Sequence, residues 1–85
     1  MVLECVPAAL SEEISKMLDI PTIGIGAGTG CDGQVQVVTD LLGMGSFVPK
    51  HAKQYAKLGE IITNAFASYR SEVKEGTFPT AEQSF

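Results

Sequence analysis

The chain has 85 residues, of which 45% are hydrophobic and 19% are charged, a composition typical of a folded segment rather than a disordered one. Its net charge of −4, with only six Lys and Arg residues, argues against a nucleic-acid partner, because phosphate binding needs a basic surface. No apolar run approaches the roughly 20 residues of a membrane helix, and no basic leader precedes the first apolar run. We therefore expect a cytoplasmic chain without a membrane partner.

The first predicted element is an apolar strand. Residues 1–7, MVLECVP, contain β-branched Val2 and Val6 and end at Pro7. This pattern predicts a strand buried on both faces, with Cys5 as a small buried side chain. A helix is predicted next, because residues 8–19 place apolar side chains at i, i+4, i+7 and i+8. That stripe consists of Leu10, Ile14, Met17 and Leu18.

The second predicted strand, PTIGIG, runs into a glycine-rich turn. Residues 20–34 contain five glycines. The G-x-G-x-x-G dinucleotide pattern does not fit from Gly24 or from Gly26, because its third glycine would fall on Thr29 or Cys31, and no Gly-Lys-Ser/Thr follows as in a phosphate-binding loop. Glycines inside a strand usually mark a close approach of another backbone or of a ligand. The composition leaves those two explanations equally open.

The rest of the chain predicts one more strand and two helices. The strand is centred on residues 35–38, a short helix spans residues 50–57 after Pro49, and a longer helix spans about residues 60–75. The longer helix has an amphipathic stripe and ends at Gly76, as helices often do. Phe78 and Phe85 in the tail predict that it packs on another element. The stripe consists of Ile62, Phe66, Tyr69 and Val73.

This order of elements predicts an α/β fold with a parallel sheet, because helices separate the strands. A (β/α)8 barrel uses roughly 250 residues, or about 31 for each βα unit, so this chain has the length of nearly three units. We expect residues 1–85 to form a single partial domain, the C-terminal part of a TIM-type barrel.

Several motifs then resemble one family. The segments LECVP, IPTIGIGAGTGCDGQV, D-LLG, PK…KQYA and EGTFPTAEQSF resemble the C-terminal third of the ketopantoate hydroxymethyltransferases. The resemblance implies a barrel of the phosphoenolpyruvate mutase and isocitrate lyase type, with these strands as the sixth, seventh and eighth. It also implies hydroxymethyl transfer from 5,10-methylenetetrahydrofolate to 3-methyl-2-oxobutanoate in pantothenate and coenzyme A synthesis, with Mg²⁺ on the keto acid and a homo-oligomeric assembly.

Glu4 is the first candidate site residue. It is the only charge in an apolar strand, and a buried carboxylate must be either paired or functional; the residues alone leave a salt bridge and catalysis equally open. The resemblance implies that Glu4 is the general base, and that Gly24, Gly26 and Gly28 form the backbone of the substrate pocket. The family's metal ligands have no counterpart here. We therefore expect no metal site in this chain and no activity from it alone. The alternative is a truncated, non-catalytic association module.

Four other polar residues have weaker assignments. Asp32 is expected to pin the glycine-rich loop, and Asp40 to cap the segment after the third strand. Cys31 has no histidine near it in sequence, which favours packing over a reactive thiol. His51 stands where the family commonly has an aromatic residue, and it is expected at the surface or an interface.

Overall fold

The computed structural model describes all of residues 1–85 as an elongated chain of 66 × 24 × 13 Å. Its radius of gyration is 21.4 Å, whereas a compact domain of this length has about 12 Å. The strands are β1 (Val2–Glu4), β2 (Ile23–Ile25) and β3 (Gly33–Gln34), and the helices are α1 (Ala8–Met17), α2 (Val38–Leu41) and α3 (Leu58–Glu75). A 3-10 turn, Ala81–Gln83, lies near the end of the chain.

The three strands form one parallel sheet in the order β1-β2-β3, which confirms the predicted parallel arrangement. Val2 pairs with Ile23 and Glu4 pairs with Ile25. Since β2 is central, β1 and β3 are both edge strands. The amide of Cys5 bonds the carbonyl of Ile25 at 2.9 Å, so the backbone groups of Val2 and Glu4 point toward the unpaired edge.

Helix α1 covers one face of the sheet. The hydroxyls of Ser15 and Thr22 are 2.7 Å apart, and Ser11 and Thr22 are fully buried. Side chains alternate along a strand, so Leu3 and Gly24 share this covered face. The predicted apolar contact stripe of the helix is wrong at two positions, because Leu10 and Met17 are exposed. Small serines bring the helix close to the sheet, and Leu10 and Met17 face outward.

The opposite face of the sheet is bare. It carries the side chains of Val2, Glu4, Ile23 and Ile25, which are the register partners that face away from α1. Val2 is 65% exposed and Leu3 is the only buried residue of β1. The prediction of a strand buried on both faces is therefore wrong for this chain, because no element covers the second face.

Cys5 also departs from its predicted burial. The strand ends at Glu4, and Cys5 adopts a left-handed backbone conformation with φ 52°. The thiol is exposed. The chain turns at this residue to leave the sheet and enter α1 beyond Pro7, so Cys5 does not belong to the packed part of the strand.

The third strand is shorter and earlier than predicted. It comprises Gly33 and Gln34, and the residues predicted as its centre lead instead into α2, which begins at Val38. Asp40 lies inside α2, and no side chain caps that helix, so the expected capping role of Asp40 is wrong. The amide of Asp40 bonds the carbonyl of Val37 at 3.0 Å, as expected within a first helical turn.

The helix predicted over residues 50–57 does not form. Residues 49–57, the basic strap, have no regular secondary structure. Backbone bonding to other parts of the chain replaces the helical ladder: the amide of Tyr55 bonds the carbonyl of Leu41 at 2.8 Å. The Gln36 side chain bonds the carbonyl and amide of Lys53 at 2.6 and 3.3 Å. Tertiary contacts therefore override the local helical preference.

Helix α3 confirms the predicted long helix. It ends at Gly76, which adopts a left-handed backbone conformation with φ 75°. The Gly76 amide donates a hydrogen bond to the carbonyl of Val73. The tail prediction is confirmed for Phe78, whose ring lies edge-on to Tyr69 with centroids 5.6 Å apart. It is wrong for Phe85, which is fully exposed. None of the helices combines the length and apolar character that crossing a bilayer requires.

Candidate active site at the carboxyl edge of the sheet

Glu4 lies at the carboxyl end of β1, on the bare face of the sheet. Its side chain is exposed, which differs from the burial expected from the sequence, because the face on which it lies is uncovered. The one ion pair of the structure joins Lys16 and Glu12 on α1. Glu4 therefore has no salt-bridge partner within this chain. Its carboxylate oxygens are therefore not engaged by a cation of this chain and can accept a proton from a ligand.

The glycine-rich segment packs against other parts of this chain at two positions where φ is positive. Gly26 has φ 65°, and a Cβ there would lie 2.9 Å from His51 Cβ and 3.6 Å from Cys5 Sγ. Gly28 has φ 77°, and a Cβ there would lie 2.5 Å from Ala8 Cβ. Close packing thus accounts for both glycines, which sequence composition left open between packing and ligand approach.

Gly24 has a different environment from Gly26 and Gly28. It is buried on the α1 face, where a Cβ would lie 3.0 Å from Cys31 Sγ. Gln34 extends from β3 and donates from Nε2 to the carbonyl of Gly28 at 2.9 Å. The three predicted pocket glycines are thus divided: Gly24 lies behind the sheet as viewed from Glu4, and the other two lie at its carboxyl edge.

A groove runs along this carboxyl edge and begins at Cys5, the residue that follows Glu4 in the chain. It is lined by the chain that leaves β1, by the glycine-rich turn and by the basic strap, and the side chains that define it are Cys5, Lys50 and His51. His51 is exposed, as predicted, but its contact with Gly26 was missed. The signal for that contact was the missing Cβ at Gly26, which admits the histidine.

Asp32 holds the glycine-rich loop against the start of β2. Its Oδ2 accepts the backbone amide of Thr22 at 2.7 Å and the Thr22 hydroxyl at 3.2 Å. The Asp32 amide donates back to that hydroxyl at 3.2 Å. This reciprocal pair confirms the predicted role of Asp32 in pinning the loop. Cys31, next to it, is a partly buried free thiol.

The chain has few groups that could hold a metal ion. No group of three or more His, Cys, Asp or Glu side chains lies close enough together to bind one. The residues present therefore do not fit the Mg²⁺ site that the expected reaction uses. What this edge offers chemically is the unpaired carboxylate of Glu4 and a groove whose lining includes the ammonium group of Lys50.

Comparison with known proteins identifies the relatives of this chain. The profile described as ketopantoate hydroxymethyltransferase matches residues 1–81. The 3-methyl-2-oxobutanoate hydroxymethyltransferase of Acetivibrio thermocellus is 59% identical over 86 residues, which cover 100% of this chain and 30% of the relative. The protein of the same name from Enterococcus faecalis is 58% identical, with 31% of its length covered. The chain thus spans about a third of the length of these curated relatives, and it belongs to the ketopantoate hydroxymethyltransferase family.

Proposed function

We propose that this chain is the base-carrying segment of an enzyme that transfers a hydroxymethyl group to 3-methyl-2-oxobutanoate, giving 2-dehydropantoate for pantothenate synthesis. The observation that carries the proposal is the position of Glu4, which ends β1 on the bare face of a parallel sheet and lacks a cation partner. The family membership supports the same reaction. We include 5,10-methylenetetrahydrofolate as the one-carbon donor in this proposal.

The proposed architecture is a TIM-type barrel in which β1, β2 and β3 are the sixth, seventh and eighth strands. Two observations support it. A helix covers one face of the sheet, while the other face is open and mainly apolar. The outer edges of β1 and β3 have no neighbouring strand. In a closed barrel the open face would become the interior and the edges would pair. Glu4 would then lie at the carboxyl end of the barrel, where the active sites of such enzymes are found.

In the proposed mechanism, Glu4 removes the proton from C3 of the keto acid. One carboxylate oxygen must reach that carbon within hydrogen-bonding range, about 2.6–3.2 Å between heavy atoms. The electron pair left by the C–H bond forms the new C–C bond to the methylene carbon of the donor. The two C–N bonds of that carbon break with their electron pairs on nitrogen, and water supplies the hydroxyl group. The proton from C3 and the second proton of that water end on the two donor nitrogens. Gly26 and Gly28 contribute backbone to the wall of the pocket, and Gly24 remains a prediction as the third member. No step is assigned to Mg²⁺, because the residues of this chain do not fit it.

The shape of the chain favours one alternative, a non-catalytic association module. Helix α3 has no buried residue, and the radius of gyration far exceeds that of a compact domain. An 85-residue chain of this form would exist mainly by pairing with other chains. Homo-oligomeric assembly and a cytoplasmic location belong to the principal proposal and are also open to direct measurement.

A segment exchange tests the proposed function. The 86 matched residues of the Acetivibrio thermocellus relative are replaced by this chain, and formation of 2-dehydropantoate is measured with the keto acid and the folate donor. We expect turnover by this exchanged enzyme and none by the 85-residue chain alone. An exchanged enzyme that folds like its parent but does not turn over would contradict the proposal. Turnover by the isolated chain would contradict its expected inactivity.

A further inference from the structure

The basic strap is held by few bonds of its own backbone. Within residues 49–57, the amide of Ala52 donates to the carbonyl of Pro49 at 3.0 Å, and this turn is the only internal backbone bond. One further backbone bond attaches the strap to the rest of the chain, from the Tyr55 amide to the carbonyl of Leu41 at 2.8 Å. That attachment lies in the half of the strap nearer α3. The first half of the strap must therefore be held by another group.

The Gln36 side chain holds this first half. Gln36 follows β3 and makes two bonds to one residue of the strap. Its Nε2 donates to the carbonyl of Lys53 at 2.6 Å, and its Oε1 accepts the amide of Lys53 at 3.3 Å. These are the only side-chain hydrogen bonds made to the strap. One side chain thus bonds both backbone groups of Lys53.

A carboxamide is suited to this contact because it carries a donor and an acceptor on one planar group. It bonds the two backbone groups of Lys53 much as a residue of a neighbouring strand would. An ionised carboxylate has no donor for the Lys53 carbonyl, and an unbranched apolar side chain has neither group. Gln54 provides a comparison, because it lies on the strap and is partly buried like Gln36 but takes part in no side-chain hydrogen bond.

The strap completes one wall of the groove at the carboxyl edge. His51, two residues before the bonded lysine, lines this groove together with Cys5. His51 Cβ and Cys5 Sγ lie 2.9 and 3.6 Å from the place where a Cβ on Gly26 would be, so the two side chains approach each other beside Gly26. Cys5 directly follows Glu4. The strap therefore meets the chain that leaves the proposed base at the point where His51 packs.

We propose that Gln36 is a positioning residue for this groove: its carboxamide clamps the strap so that His51 stays against Gly26 and forms a wall beside Cys5. Glu4 is held separately, by the pairing of β1 with β2. Loss of the clamp therefore opens the groove and weakens the hold on a bound substrate, while the carboxylate keeps its place. The identity of that substrate as the keto acid rests on the proposed function, whereas the clamp is measured without turnover.

The direct test is limited cleavage of the 85-residue chain by trypsin, with the products assigned by mass spectrometry. Cleavage after Lys53 requires the strap to detach, so its rate reports the population of the open strap. Gln36→Met removes both bonds and should speed this cleavage roughly five- to thirtyfold, the effect expected of two hydrogen bonds. Gln54→Met should leave the rate unchanged. Equal rates in the parent and Gln36→Met, or equal acceleration in the two variants, would overturn the clamp.

Two further rates separate opening of the strap from unfolding of the chain. Cleavage after Lys16, which lies in α1, should be the same in Gln36→Met as in the parent, and an acceleration there as large as after Lys53 would overturn the clamp. In a Cys31→Ala background, a maleimide should modify the Cys5 thiol faster in Gln36→Met, because His51 leaves its side of the groove. An unchanged rate would show that the strap forms no wall beside Cys5.

A kinetic test uses the exchanged enzyme. Gln36→Met should raise KM for the keto acid roughly two- to tenfold, the effect expected of a lost hydrogen bond, while exchange of the C3 proton at saturating keto acid stays at the parent rate. Such a split indicates lost substrate binding with intact chemistry. Gln54→Met should change neither. An unchanged KM, or equal losses in both quantities, would overturn the positioning role. If the exchanged parent does not turn over, the proposed function fails, and the trypsin and maleimide rates still decide the clamp.

Discussion

Glu4 and Ile25 are register partners in the parallel pair β1–β2, and their side chains lie together on the face of the sheet that α1 does not cover. This relationship places the one carboxylate of β1 next to an apolar side chain at the carboxyl edge. In the proposed reaction, the carboxylate would accept the C3 proton of the keto acid, and the isoleucine would contact its aliphatic carbons.

Replacement of Glu4 is the most direct prediction. Glu4→Gln in the exchanged enzyme keeps the shape of the side chain but replaces the basic carboxylate with a neutral amide, which cannot take up the proton. We expect exchange of the C3 proton of the keto acid with deuterated water, in the absence of folate, to fall by about 10²–10⁴-fold, the usual contribution of a general base. Exchange at the parental rate would assign the base to another residue.

A control separates this loss from misfolding. Glu13→Gln removes a carboxylate that is also exposed but lies on α1, away from the sheet edge, and it should leave exchange unchanged. Both variants should match the parent in circular dichroism and in thermal midpoint.

The isolated chain should associate in solution. The backbone groups of Val2 and Glu4 point to an unpaired edge, and the bare face exposes Val2 and leaves Ile23 and Ile25 partly exposed. Unpaired edge strands pair readily with other chains. We expect light scattering to show a mass above that of one chain, and Val2→Lys to reduce it because a charge on the edge opposes strand pairing. A sharp monomer peak for the unmodified chain would contradict this expectation.

Two glycines with nearly equal backbone angles give a matched test of packing. Gly28 has φ 77°, and a Cβ added to it would lie 2.5 Å from the Cβ of Ala8. Gly76 has φ 75°, and a Cβ added to it would have no atom within 4 Å. Gly76→Ala should lower the free energy of unfolding of the exchanged enzyme by about 1–2 kcal/mol, the cost of the left-handed conformation. Gly28→Ala should lose roughly 1–3 kcal/mol more from overlap. Equal losses in chemical denaturation would show that the contact with α1 is absent.

The pKa of Glu12 should depend on Lys16. The Lys16 ammonium donates to Glu12 Oε1 at 2.7 Å, and this hydrogen bond, with the attraction of the charge, holds the pKa of the carboxyl below its usual 4.5. A lowered pKa stabilises the folded chain above the unfolded pKa, and the effect is lost as pH falls through the folded pKa. NMR titration should show the Glu12 pKa rising in Lys16→Gln and unchanged in Lys74→Gln. An unaltered pKa in Lys16→Gln would refute the pairing.

An element can be predicted from the sequence when the interactions that form it are local in the chain. The stop of α3 at Gly76 depends on local backbone conformation, so the sequence predicts it. Residues 50–57 have a helical pattern, but the carbonyl of Leu41 and the side chain of Gln36 bond their backbone instead. Such contacts come from distant parts of the chain, and periodicity does not detect them. The role of Asp32 was predictable because an Asp in a tight loop commonly accepts backbone amides.

The candidate site was predictable in part for a similar reason. The motif around Glu4 pointed to a base, but its face of the sheet follows from the pairing with Ile25, which only the register shows. Cys5 was assigned to the core because apolar neighbours surround it in sequence. Its positive φ turns it out of the strand, and no apolar pattern encodes that turn.

The absence of buried residues in α3 has a consequence for amide hydrogen exchange. A helix with few tertiary contacts opens locally at little free-energy cost. The amides within α3 should therefore exchange with solvent much faster than the Thr22 amide. Thr22 is fully buried, and its amide donates to the carboxylate of Asp32. At the start of α3, Leu58 and Gly59 donate to the carbonyls of Leu42 and Gly43, both at 2.9 Å, so these two amides should be better protected than those of an unattached helix end.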